Sequence, residues 1–166
     1  MTRSRQTADW GSRAGLAKVI PSPVAVGSGT GSANTLGTVT FSGASSVSLN
    51  GIFSSTYDNY RILLDSTAAS ASAALNIRVR VSGADASGSD YNSQRIDIAG
   101  TSSTITRNTL QTSFQPDSFR ATGLSNAIIL DILNPFRTVP TGFAANLLYS
   151  YSSFASKFFG LKSVSS

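Results

Sequence analysis

The sequence predicts an all-β protein, an antiparallel β-sandwich of jelly-roll type with an extended N-terminal arm, and three observations predict it. None of the 166 residues is Glu and only three are Lys, so the residues that normally solvate long surface helices are scarce. From Gly37 onward apolar side chains recur every second residue, the period of a half-buried strand. Gly, Ser, Asn and Pro separate these runs into eight or nine short segments, the pattern of a sandwich or jelly roll, and no internal repeat points to a propeller or β-helix.

The chain divides into an arm with a flexible linker over residues 1–36 and a sandwich over 37–166. Residues 1–20 (MTRSRQTADWGSRAGLAKVI) hold the one candidate helix, with Thr7 or Asp9 as its cap, although Gly11 and Gly15 leave it marginal in isolation. Pro21, Pro23 and the stretch from Gly27 to Gly37 read as linker. Strands follow in order. Val39 and Phe41 alternate with Thr38 and Thr40, Val47 and Leu49 continue, and Tyr60, Ile62 and Leu64 alternate with Arg61 and Asp65. Leu75 to Val81 is the clearest strand, with Leu75, Ile77, Val79 and Val81 on one side and Asn76, Arg78 and Arg80 on the other. Gln94 to Ala99 repeats the pattern with Ile96 and Ile98 expected inward, and Ile105 to Leu110 is weaker. Ala127 to Leu133 (AIILDIL) is nearly continuous apolar, the mark of a strand covered on both faces, with Asp131 the odd residue. Ala145 to Tyr151 and Lys157 to Leu161 complete the set.

The chemistry-bearing residues argue against catalysis. There is no His to titrate near neutrality, no Cys to act as thiolate or soft ligand, and all eight acids are Asp. Asp85 and Asp90 share a Ser-rich loop that suggests calcium, but a turn capped by Asp and Ser side chains explains it with less. Asp58 and Asn59 read as turn residues. No pair of acids is marked out for glycoside hydrolysis, and the three lysines lie near the termini, away from any Ser-Lys arrangement. No enzyme activity, metal or cofactor is expected.

Charge and aromatic content point to docking. Arg3, Arg5, Arg13 and Lys18 against Asp9 give the arm +3 of the total +5. Together with Trp10 and Leu16 they form a candidate partner-docking peptide, with an acidic protein surface a better fit than nucleic acid, although Trp10 fits folding back onto the chain's own core equally well. The first twenty residues lack the apolar core of a signal peptide and no run is long enough to span a membrane, so a soluble chain with no membrane partner is expected. Near the other end, NLLYSYSSFASKFFGLK gathers Tyr149, Tyr151, Phe154, Phe158 and Phe159, more aromatic surface than a terminal edge usually leaves in water. They are expected either to close the sandwich or to lie between subunits, and a homotrimer satisfies both. The remaining tyrosines fit core and rim packing better than a carbohydrate site.

The segments VTFSGASSVSLNGIFSSTYDNYRILLDST, LNIRVRVSGADASGSDYNSQRI and NAIILDILNP carry a resemblance. They are similar to a family of small β-sandwich proteins in the virions of tailed bacteriophages. The matching positions are the corner Phe53, Ser55, Tyr57, Tyr60 and Ile62, then Leu75, Arg78 and Gly83 to Tyr91, then Asn134 with Pro135. The resemblance covers roughly residues 37–166 and rests on structural corners, so it brings no catalytic residues. It implies a non-enzymatic virion structural protein, anchored by its arm to other virion proteins and displaying its sandwich, with a host surface glycan as a further partner. A tail fibre, baseplate or minor tail role is favoured, with a capsid decoration protein or a free carbohydrate-binding module as alternatives. Members of the family continue beyond the point where this chain stops at LKSVSS, so a further strand or a partner is expected to complete the sandwich.

Overall fold

In a computed structural model, the structure describes residues 17–66, 73–99, 101–116, 118–119, 126–149 and 155–160. The expected helix of residues 1–20 lies outside these residues up to position 16. All regular elements among the described residues are strands, and they pair antiparallel throughout. The chain forms two compact units that divide between Ile52 and Phe53.

The first unit holds β1 (Val24–Val26), β2 (Thr30–Ala33), β3 (Val39–Ser42) and β4 (Val47–Leu49), with β1 paired to β4 and β2 to β3. Two of these strands fall in the stretch expected to be linker. Its glycines and polar residues serve turns and close backbone contacts rather than freedom. Gly29 has φ +70°, and a Cβ there would stand 2.0 Å from the Ser42 carbonyl oxygen, so only glycine fits. Asn34 closes the β2–β3 connection by accepting the amides of Leu36 and Thr38 at 2.9 and 3.0 Å.

The second unit begins with β5 (Asn59–Ser66), β6 (Ala73–Ala74), β7 (Arg80–Val81), β8 (Ala84–Asp85), β9 (Tyr91–Ala99) and β10 (Ser102–Gln111). It ends with β11 (Ser118–Phe119), β12 (Asn126–Leu133), β13 (Gly142–Tyr149) and β14 (Ala155–Gly160). Six of these form one sheet in the order β10-β9-β14-β13-β12-β5. Tyr60, Ile62 and Leu64 of β5, Ile128, Leu130 and Ile132 of β12, and Phe143, Ala145 and Leu147 of β13 line one face of it. Phe114, stacked on Phe143 at 5.1 Å, and Leu75, Ile77 and Val79 pack against that face and make the core.

The expected strand 75–81 keeps its alternation but not its ladder. Leu75, Ile77 and Val79 are half-buried and Asn76, Arg78 and Arg80 exposed, yet between β6 and β7 the segment forms no continuous ladder, its backbone meeting Phe114 at Ile77 and Ala86 at Val79. At its end Ser82 and Gly83, both at positive φ, turn β7 back onto β8, and Val81 is exposed rather than inward. Ile105–Leu110 lies within a full ten-residue strand. The expectation for Ala127–Leu133 holds on its core side, where Ile128, Leu130 and Ile132 are buried; Ala127, Ile129, Asp131 and Leu133 on the other side are half-buried.

The expected inward face of β9 is corrected. Tyr91 and Ser93 are buried, which by alternation puts Arg95 and Asp97 on the core side and Ile96 on the other, where it is 40% exposed. The parity is set by Tyr91, whose hydroxyl receives the Val79 amide at 3.2 Å and donates to the Ala86 carbonyl at 3.0 Å. The side chain of Ile98 lies outside the described set.

Candidate functional site

The residues that punctuate the sequence become clamps. Tyr60 receives the Ser54 amide at 2.8 Å and donates to the Ser54 carbonyl at 3.2 Å, while Phe53 meets its ring edge-on at 4.9 Å and Tyr57 at 6.2 Å. The corner is thereby closed on itself. Asn134, at φ +56°, donates its amide to the Asp58 carbonyl at 2.7 Å, and Arg137 binds the Asp58 carboxylate through Nε at 2.7 Å. A left-handed Asn followed by Pro ends β12 and ties it to the turn before β5.

The acids are engaged by arginine rather than gathered. Arg61 grips Asp131 with two hydrogen bonds of 2.6 and 2.9 Å, Arg80 Nε lies 3.0 Å from Asp85, and Arg95 Nε lies 2.9 Å from Asp97. The Arg61 guanidinium, chiefly by its hydrogen bonds, holds the Asp131 carboxyl below the usual carboxylate range. Burial pushes the Tyr91 phenol above its ordinary value. Among the described residues no group of three His, Cys, Asp or Glu side chains is placed to hold a metal ion. No helix among them is long and apolar enough to cross a membrane.

Of the expected docking residues, Arg3, Arg5, Trp10, Arg13 and Leu16 lie outside the described residues; Lys18 is described and exposed. Of the expected interface residues, Tyr151 and Phe154 lie outside. Tyr149 ends β13 opposite Asn126, and Phe158 and Phe159 stand in β14 opposite Ile96 and Arg95 of β9. Phe158 and Phe159 therefore stand in an interior strand of the sheet, between β13 and β9, rather than on a terminal edge.

The largest feature that the sequence alone did not show is a row of mostly apolar residues across the outer face of the six-stranded sheet. On the core side, β5, β12 and β13 present apolar residues, while β9 and β10 follow the buried Tyr91 and Ser93 with Arg95, Asp97, Thr104 and Thr106. The outer side carries one mostly apolar row with polar positions beside it. Register partners run in one row across all six strands: Leu63, Ile129, Asn146, Phe158, Ile96 and Ile105. Leu63 is 73% and Ile105 71% exposed. Ile105 alternating with Thr104 and Thr106 was the one sequence signal for it, and register alone joins it to Leu63.

A shallow open depression on the β2–β3 hairpin is lined by Thr30, Gly31, Ser32, Thr40, Phe41 and Ser42. It offers hydroxyls beside one partly exposed ring. No family model, curated protein or solved structure matches the chain.

Proposed function

We propose that the protein is a non-enzymatic structural component of a tailed bacteriophage virion, carried on other virion proteins by its N-terminal arm and displaying its β-rich body outward. The observation that carries this reading is how the second unit uses its functional groups. Two tyrosine hydroxyls clamp backbone, four aspartates are engaged by arginine, and a single apolar row with exposed ends at Leu63 and Ile105 crosses the outer face of the sheet. That arrangement suits a rigid body made for contacts. The corners that carry the resemblance to phage sandwich proteins, at Tyr60, Tyr91 and Asn134, are the same clamps, so those residues have a structural reason to be there.

In this reading the six-stranded sheet and the covering segments 73–81 and 112–116 are the two layers of a jelly-roll-like sandwich, and the basic arm with Trp10 docks on an acidic surface of the particle. Tail placement as a fibre, baseplate or minor tail component is favoured over capsid decoration, because the hydroxyl-lined depression beside Phe41 suits contact with a host glycan. Quantitative mass spectrometry of purified particles tests the assignment. A few copies per particle supports the tail reading, hundreds support decoration, and absence from particles ends both. Binding of the isolated chain to a glycan array without any particle association would favour a free carbohydrate-binding module.

A further inference from the structure

We infer that the outer face of the six-stranded sheet is a self-pairing surface: a second copy of this chain lies on it, related by a two-fold axis along the row from Leu63 to Ile105. The inference is independent of the virion assignment. Five strand spacings of about 4.8 Å make this row about 24 Å long. Leu63 and Ile105 at its ends are among the most exposed large apolar residues described, with Ile129 and the 40%-exposed Ile96 between them. Phe158 and Asn146 occupy the central register positions.

The charges beside the row select the partner and the axis. On β5, Arg61 and Asp65 flank Leu63 on the same face; on β10, Arg107 and Ser103 flank Ile105. By register, Arg61, Asp131, Gln94 and Arg107 belong to the line on one side of the row, and Asp65, Ala127, Ile98 and Ser103 to the line on the other. A two-fold axis along the row lays each apolar residue on its own counterpart. It also places Asp65 over the partner's Arg61 and Arg107 over the partner's Ser103. A two-fold axis parallel to the strands would instead put Arg61 over the partner's Arg107, two like charges in contact. Pairing of copies by the first operation buries the row and adds an ion pair at each of two symmetric positions. It keeps the strands of the two sheets close to aligned, one of the two standard arrangements of packed sheets.

The chain has no cysteine, so single-cysteine variants report without background. Facing sheets stand about 10 Å apart, beyond the ~7 Å Cα limit of a disulfide, so a short bismaleimide is the suitable probe. With the full chain, sedimentation should give a dimer, and Leu63→Cys and Ile105→Cys should each cross-link to themselves. A mixture of the two should give no 63–105 product. Leu63→Asp and Asp65→Lys should each weaken self-association about tenfold or more, with an unchanged circular dichroism spectrum because both sites are exposed. A monomer, a trimer or a 63–105 cross-link overturns the inference.

Discussion

Arg61 and Asp131 face each other across β5 and β12 as register partners, and the guanidinium grips the carboxylate with Nε–Oδ1 2.6 Å and Nη2–Oδ2 2.9 Å. The contact links strands whose residues lie 70 positions apart, and it explains the one charge within AIILDIL.

That pair makes the fold acid-sensitive in a definite direction. The carboxyl is held below its ordinary value of 3.8 in the folded state, so its contribution is present above about pH 4 and is lost as pH falls through the lower folded value. Urea unfolding from pH 6 down to pH 2 should show this loss, and Asp131→Asn should remove part of the slope below pH 4 while leaving the neutral region flat. With no histidine in the chain, no His-linked step should appear between pH 5 and 8.

Tyr91 should act at the other end of the scale. Burial raises its phenol, so the neutral form favours the folded state and the stabilisation is present below pH 10 and lost as pH rises through the folded value. Absorbance at 295 nm should then show one of the five tyrosines ionising late, together with unfolding. Tyr91→Phe removes both backbone bonds at Val79 and Ala86 and should cost about 1–3 kcal/mol by denaturant unfolding, since it leaves an amide without its acceptor.

Phe143 is fully buried and stacked on Phe114. Phe143→Ala should cost about 3–5 kcal/mol, whereas Phe136→Ala, at an exposed turn position, should change stability by less than about 0.5 kcal/mol. Equal effects of the two would mean that the core is not where the sheet places it.

Gly29→Ala tests the order of the first unit. The left-handed φ alone costs about 1–2 kcal/mol for a residue with a Cβ, and the Ser42 carbonyl oxygen adds a clash. Cleavage by protease should therefore rise between residues 24 and 45 in the variant. An unchanged digest would return this stretch to the linker role that its composition suggests.

The strand content was legible because alternation is a local property: Tyr60, Ile62 and Leu64, and Ile128, Leu130 and Ile132, bury as their spacing says. The side of the sheet was not legible on β9, because Ile96 and Arg95 each stand on an alternating face and only the long-range clamp of Tyr91 on Val79 decides which face goes in. Composition misled at Gly27–Gly37, where Gly29 and Asn34 make turns that a count of glycines reads as slack. The outer apolar row was invisible for the same reason as the β9 parity. Leu63, Ile129, Ile96 and Ile105 become neighbours only through strand register, and the crossover that puts β14 beside β9 leaves no trace in local pattern.

The claim that the chain is carried on a virion by its arm is tested most directly by deleting residues 1–16, which leaves β1 and the backbone bonds to Asn50 in place, in the producing phage and counting copies in purified particles. The account predicts that the shortened protein folds, remains in the soluble fraction of the lysate and is missing from particles. Incorporation at the full copy number would contradict it.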